Sequence, residues 1–171
     1  YVSEMKEMID NYLAFARGEK EEKIKKINIY KLIKTLCDKD VLYGSKTIKN
    51  KIVKNLYINI RPLAIKRALL NIISNAISYS KNTVEITSVK NDNFVNIFIE
   101  DDGQGIPKDK REEVFKAFYR IDESRKSASA NTGLGLTIAK DIIQGHGGRV
   151  MLYTSDLGGL KVEITLPIKR S

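Results

Sequence analysis

Between Pro62 and Ser80 lies an unbroken apolar pattern of helical period over residues 63–79, and no other feature limits the possible folds as tightly. At about 100° per residue, Ile65, Leu69, Ile72, Ile73 and Ala76 share one face, whereas Asn71, Asn75 and Tyr79 lie along another. So long an apolar stripe needs a surface to cover it, and the flanking sequence supplies strands. Leu56, Ile58 and Ile60 alternate as in a half-buried strand that stops at Pro62. Residues 83–90 and 94–100 read as a hairpin turning at Asn91-Asp92-Asn93, and residues 149–153 and 161–167 as a second one around Gly158-Gly159. Further helices are predicted over residues 30–40, 108–118 and 134–144, the last closed by Gly145, Gly147 and Gly148. Hairpin-linked strands with helices between the pairs predict an α+β fold. The expected arrangement is a two-layer α/β sandwich whose mixed, mostly antiparallel sheet is packed on one face by helices.

The chain has 171 residues, which suits one main domain and an appended helix. Residues 2–17 place Met5, Met8, Ile9, Tyr12, Leu13 and Phe15 largely at helical spacing before Gly18, and read as the tail of a helix that starts upstream. The charged stretch 19–26 then reads as a linker, so residues 1–22 are assigned to the helix end and linker and residues 23–171 to the main domain. A net charge of +9 favours an anionic partner. The lysines are scattered, with no dense basic run and no interleaved aromatic platform, so a nucleic-acid groove is not expected. Cys37 stands alone, which rules out an intrachain disulfide, fits a reducing cytoplasmic setting and suits a small buried hydrophobe. No apolar run reaches the length of a membrane span.

Three clusters carry chemistry. Asparagine is a middling helix former and costly to bury unpartnered, so Asn71 and Asn75 in an apolar helix call for an explanation: a ligand with hydrogen-bonding groups and a metal would supply one, an ordinary solvated face being the alternative. Each offers a carbonyl oxygen suited to a hard cation such as Mg²⁺ and an amide donor suited to phosphate. Asp101-Asp102-Gly103-Gln104-Gly105 comes straight off a strand, where a carboxylate can accept a hydrogen bond from an exocyclic amino group such as that of adenine. The glycines tolerate positive φ and let the backbone approach a flat base. Gly133-Leu134-Gly135-Leu136 opens a helix whose N-terminal N–H groups attract phosphate, with Thr132 or Asn131 placed to cap it. Phe115, Phe118 and Tyr119 suit core or lid packing, and Arg120 could reach a terminal phosphate. His146, the only histidine, reads as a dipole-compatible residue at a helix end and not as a catalytic group.

In order and spacing these blocks resemble the N, G1, F, G2 and G3 boxes of the ATP-binding catalytic domain of bacterial sensor histidine kinases, over residues 26–168. Within that family Arg61-Pro62-Leu63-Ala64-Ile65-Lys66-Arg67-Ala68, Glu100-Asp101-Asp102-Gly103 and Thr132-Gly133-Leu134-Gly135-Leu136 look most like its osmosensing members. The resemblance implies the Bergerat sandwich, with ATP and Mg²⁺ as ligands. It makes Asn75 the Mg²⁺ ligand, with Asn71 assisting at the phosphates and Asp101 on the adenine amino group. Tyr79 would lie beside the ribose or base, Gly103, Gly105 and Ile106 would shape the base pocket, and Tyr119 and Arg120 would belong to the nucleotide site, Arg120 near the γ-phosphate. Thr132, Gly133, Leu134, Gly135 and Leu136 would close over the phosphates, Gly133 and Gly135 as hinges of a lid spanning 122–132. Ser78 stands where many relatives carry a basic residue, and Lys81 is the candidate replacement.

By the same resemblance residues 1–17 are the end of the second helix of a dimerisation and phosphoacceptor domain whose acceptor histidine lies in an absent first helix. His146 does not match that acceptor, so this chain is expected to bind ATP without labelling itself. The implied partners are that histidine domain and a cognate response regulator. The parent protein is expected in a bacterial inner membrane, this part facing the cytoplasm and touching the membrane only through absent segments. The competing reading is an ATP hydrolase of the gyrase and Hsp90 type, in which a glutamate one turn before the metal asparagine activates water. Asn71 occupies that position and cannot act as a base, so slow hydrolysis is expected. A non-catalytic nucleotide sensor or a DNA-binding module is the remaining alternative.

Overall fold

The computed structural model describes residues 2–3, 6, 9–10, 12–13, 18, 21–38, 44–117, 119 and 133–168. Strand β1 (Lys25–Asn28) leads directly into helix α1 (Ile29–Cys37), followed by β2 (Thr47–Asn50), β3 (Tyr57–Ile60) and the long helix α2 (Pro62–Tyr79). The hairpin β4 (Thr83–Lys90) and β5 (Phe94–Asp101) precedes two 3₁₀ turns, Lys108–Lys110 and Glu113–Phe115. Helix α3 (Gly135–Gly145) and the hairpin β6 (Arg149–Thr154) and β7 (Leu160–Pro167) complete the chain. Five strands form one sheet in the order β2-β4-β5-β7-β6, and β1 pairs with β3 in a separate ribbon. Only β2 against β4 is parallel, because the chain crosses through α2 between them; the other neighbours are antiparallel. The expected mixed, mostly antiparallel sandwich is what forms.

Burial follows the sequence periods. Along β5 every second residue, Val95, Ile97 and Ile99, is fully buried, and Val84, Ile86, Val162, Ile164 and Leu166 extend the same inner face. Helix α2 presses Ala64, Ile65, Ala68, Leu69, Ile72, Ile73, Ala76 and Ile77 into the core, while α3 contributes Ile138, Ala139, Ile142 and Ile143 beside it. Each buried isoleucine or leucine contributes roughly 1.5–3 kcal/mol over leaving it in water, so this seam holds the sandwich together.

Several expectations change. Lys25 and Lys26, read as linker, are strand residues, paired in register with Ile60 and Asn59. The short helix expected over 108–118 is two 3₁₀ turns, joined by i→i−3 bonds such as Lys110 N–H to Pro107 O and Lys116 N–H to Glu113 O. Only Val114 of those turns is buried, too little packing to hold an α-helix. Helix α1 ends at Cys37 instead of continuing to residue 40; Asn28 caps its start, accepting from Lys31 N–H at 3.0 Å. Burial foremost, with Asp38 adding to it, pushes the Cys37 thiol up to about 11, consistent with an inert packing role.

Two long-range clips fix α2. Its N-cap residue, Arg61, offers no side-chain cap; instead the Glu22 carboxylate accepts from Leu63 N–H at 2.9 Å and Ala64 N–H at 3.1 Å. A carboxylate there satisfies two orphan donors and complements the positive helix end. His146 supplies the second clip: it is 1 % exposed, its Nε2 accepts from Arg61 N–H at 3.1 Å, and its Nδ1 lies 2.8 Å from Ile142 O. A backbone N–H can only donate and a carbonyl only accept, so the ring is the neutral Nδ1–H tautomer. His146 is therefore a buried neutral bridge between the end of α3 and the start of α2, and not a charge at a helix terminus.

Candidate functional site

The site lies where the C-terminal half of α2, the loop after β5 and the start of α3 converge. Asn71 and Asn75, one turn apart on α2, are half-buried. Asn71 Nδ2 donates to Gly135 O at 3.2 Å, so the first and third sequence clusters meet directly. The side chain of Asn75 makes no hydrogen bond to the other described residues, which leaves its amide oxygen available. Among the described residues no group of three His, Cys, Asp or Glu could hold a metal. The uncommitted amide oxygen of Asn75 is a hard donor that could supply one ligand to a cation.

Asp101 ends β5 and is 2 % exposed. Its Oδ1 accepts from Gly103 N–H at 2.8 Å and from Leu160 N–H at 3.3 Å, and neither bond uses Oδ2. Burial holds its carboxyl above the usual range, opposed by those two N–H groups and by Lys46, with Asp102 reinforcing the rise. Asp102 behaves oppositely. Desolvation is the largest single influence and pushes upward, but the N–H groups of Asn82, Thr83 and Lys81 together outweigh it, and its carboxyl lies below the ordinary range. Its oxygens accept from Lys81 N–H at 2.7 Å and Asn82 N–H at 3.1 Å, which turns the chain from α2 into β4.

Gly103 and Gly105 serve different needs. Gly105 has φ +69°, a backbone only glycine adopts freely. Gly103 has no positive φ; a Cβ there would come within 2.2 Å of Tyr79 O, so its lack of a side chain lets the end of α2 pass. Ile106 is half-buried against the core, and Arg111 Nε donates to its carbonyl at 3.1 Å.

Helix α3 begins at Gly135 with Leu134 in the N-cap position and no side-chain cap bond. Gly133, just before it, has φ +75°. Leu136 is half-buried against the core, and Thr137 Oγ1 donates to Phe115 O at 2.8 Å, tying α3 to the second 3₁₀ turn. Tyr79 is 40 % exposed at the end of α2, Ser78 and Lys81 are exposed, and Tyr119 is half-buried against the core. Phe118, Arg120, Asn131 and Thr132, together with the lid expected over 122–132, lie outside the described residues.

Two contributors were not singled out from sequence. A Cβ on Gly159, in the turn between β6 and β7, would lie 2.2 Å from Asp101 Oδ1 and 2.5 Å from Gly103 N, so this turn forms the back of the Asp101 site. Lys46, ahead of β2, donates from Nζ to Ile77 O at 2.5 Å and Ser80 O at 2.9 Å, placing a cation at the negative end of α2 and beside Asp101. The glycine signal was present in the Gly158-Gly159 pair but read only as a turn. No sequence signal marks Lys46.

Residues 60–170 match the protein family described as histidine kinase-, DNA gyrase B- and HSP90-like ATPase. Sensor histidine kinase CpxA of Escherichia coli K12 is 43% identical over 111 residues, 64% of this chain and 24% of that protein. Sensor protein RstB of the same organism is 30% identical over 172 residues, 98% of this chain and 40% of its own length. The chain thus spans between a quarter and two fifths of these relatives. The ATP binding domain of PrrB from Mycobacterium tuberculosis superposes with a TM-score of 0.69 at 25% identity, covering 87% of this chain and 100% of that one. Among the described residues no helix is long and apolar enough to cross a membrane.

Proposed function

Since this chain belongs to the histidine kinase-, DNA gyrase B- and HSP90-like ATPase family, and within it to the ATP-binding catalytic domains of two-component sensor histidine kinases, we propose how its residues divide the work on ATP. Asp101 accepts a hydrogen bond from the adenine amino group through the oxygen that its backbone partners leave free. Asn75 supplies the amide oxygen for Mg²⁺, and Asn71, held against Gly135, supports the phosphates. Bound Mg²⁺ would neutralise charge on the triphosphate. Tyr79 flanks the ribose or base, Gly103, Gly105 and Ile106 floor the base pocket, and Gly133 to Leu136 present helix N–H groups to the phosphates. Tyr119, Arg120, Thr132 and Lys81 complete the phosphate end.

The reaction is transfer of the γ-phosphoryl group to a histidine of the dimerisation domain, largely by positioning and charge neutralisation, and from there to a response-regulator aspartate. The parent is a sensor in a bacterial inner membrane, with this domain on the cytoplasmic side and residues 1–22 leading to the histidine domain. A finer assignment to osmosensors of the EnvZ type rests on the resemblance over 61–68, 100–103 and 132–136. Phosphotransfer to a panel of regulators that includes an osmoregulatory one tests it. Against the hydrolase reading, Asn71 spends its amide nitrogen on Gly135 O and offers no base.

The observation that carries the proposal is the meeting of Asn71 with Gly135 beside an unspent Asn75. Titration with a fluorescent ATP analogue, with and without Mg²⁺, tests it: Asn75→Ala should abolish the metal-dependent part of binding. Mg²⁺-independent affinity, or an unchanged Asn75→Ala variant, would remove Asn75 from the metal. Supplying the histidine domain in trans should give acid-labile phosphate on that domain, and steady ATP turnover on the order of 1 s⁻¹ without it would favour the hydrolase.

A further inference from the structure

Arg111 has been assigned no part in binding ATP, and its one contact with the residues that have is the backbone carbonyl of Ile106. It is half-buried between the two 3₁₀ turns. Nε donates to Ile106 O at 3.1 Å and Nη2 to Thr154 Oγ1 at 2.8 Å, and among the described residues it pairs with no carboxylate. A planar guanidinium that donates to two neutral acceptors acts through geometry more than charge. Thr154 is the last residue of β6, next to the turn that ends at Gly159. In that turn Ser155 N–H donates to Gly159 O at 2.8 Å, and Gly159 N–H donates to Asp101 O at 3.1 Å.

The contacts close a ring. Asp101 is backed by Gly159, Gly159 is bonded to Ser155, and the neighbouring Thr154 is held by Arg111. Arg111 grips Ile106, whose loop returns through Gly105 and Gly103 to Asp101. Near Gly105 the loop and the turn nearly touch: a Cβ on Gly105 would be 3.3 Å from Gly159 O. Without Arg111 the carbonyl of Ile106 loses its bond, and the end of the loop is free to shift relative to the carboxylate.

We infer that Arg111, through Thr154, is a positioning residue that sets the distance between the base loop and Asp101 and so governs discrimination among purines. This rests on the reading of Asp101 as the base-recognising group. A displaced loop leaves the carboxylate in place but misplaces the floor against which the base is measured. Phosphate contacts, on α2 and α3, lie outside the ring.

Competition titrations with ATP, GTP and inorganic triphosphate, all with Mg²⁺, test the inference on wild type, Arg111→Gln, Arg111→Lys, Thr154→Val and the double variant Arg111→Gln/Thr154→Val. Loss of one hydrogen bond in this setting should weaken ATP about fivefold in Arg111→Gln and less in Thr154→Val, while triphosphate binding stays unchanged. The ATP to GTP preference should fall with it, which general destabilisation of a still-folded domain would not produce. Arg111→Lys should behave like Arg111→Gln, since a single ammonium cannot span both acceptors. The double variant should be no worse than Arg111→Gln alone. An unchanged ATP to GTP ratio in the folded variants, or triphosphate weakened as much as ATP, would overturn the positioning role. If Arg111→Gln does not fold, Thr154→Val decides by the same ratio. Wild type without purine preference would instead sink the reading of Asp101, and the inference with it.

Discussion

The two walls of the site are built on different principles. On the base side, Asp101, Gly103, Gly105 and Gly159 crowd so closely that a single added Cβ at Gly103 or Gly159 would come within 2.2 Å of backbone or carboxylate oxygen. On the phosphate side, Asn71 bonds across to Gly135 O, and among the described residues a Cβ on Gly135 would meet nothing nearer than 3.8 Å. The first wall is pre-organised and the second has slack. That division suits a ligand whose base is a fixed shape and whose triphosphate changes length in the reaction: rigidity serves recognition, and room serves transfer.

The largest effect should come from filling the crowded wall. Gly159→Ala places a methyl group where Asp101 Oδ1, Asp101 O and Gly103 N already stand, at 2.2, 2.5 and 2.5 Å. Two of these are backbone atoms and the third is the tip of a buried carboxylate held by Gly103 and Leu160 N–H, so the backbone must move. A loss of about 2 kcal/mol or more of stability is expected, along with weakened binding of adenosine itself. Thermal unfolding and adenosine titration check both, and a variant as stable as wild type would show that this wall yields easily.

How much of this was legible in the sequence depends on how far apart the cooperating residues lie. The helical period of α2 and the alternation of β4 and β5 are local, and both elements stand where the pattern put them. Strand β1, reading Lys-Lys-Ile-Asn, has no alternation of its own and exists because it pairs with β3 some 30 residues on. Strand β2 was missed because it forms as an edge beside β4, across the whole of α2. The chemistry-bearing clusters were visible as asparagines, carboxylates and glycines at odds with their surroundings. The Glu22 cap, the His146 bridge and the Gly159 backing join residues 41 to 85 positions apart or turns to strand ends, and nothing in a local window announces them.

A smaller and opposite effect is expected at the carboxylate. Burial raises the Asp101 pKa, so the folded state holds its proton more tightly than the unfolded chain does. The associated stability is present below the unfolded value and lost as pH rises through the folded one, above which the carboxylate is ionised and poorly solvated. Asp101→Asn keeps an oxygen for Gly103 and Leu160 N–H but removes that charge. The nucleotide-free domain should therefore unfold at an equal or higher temperature at pH 7, with the gain shrinking on acidification toward the carboxylate range. ATP binding should weaken about tenfold, and the preference for adenine over guanine should shrink, because a hydrogen bond to a charged acceptor is lost. A variant less stable at pH 7 would show that the ionised carboxylate is needed structurally.

The slack wall predicts the smallest effect. Gly135 opens α3 with ordinary helical backbone and without a positive φ, unlike Gly133 at +75°. A methyl group there would rest in normal van der Waals contact with Asn71 Cβ at 3.8 Å. Alanine is favoured over glycine in a helix by up to about 1 kcal/mol, so Gly135→Ala should leave stability unchanged or slightly raised. Adenosine affinity should also be unchanged, since the base wall is untouched. If Gly135 is only the first residue of a helix, ATP binds the variant as tightly as wild type. If phosphate must approach closer than a methyl group permits, or the residue must leave the helix as a hinge, ATP alone weakens while adenosine does not. Comparing the two ligands on this one variant therefore separates space for the phosphates from rigidity at the base.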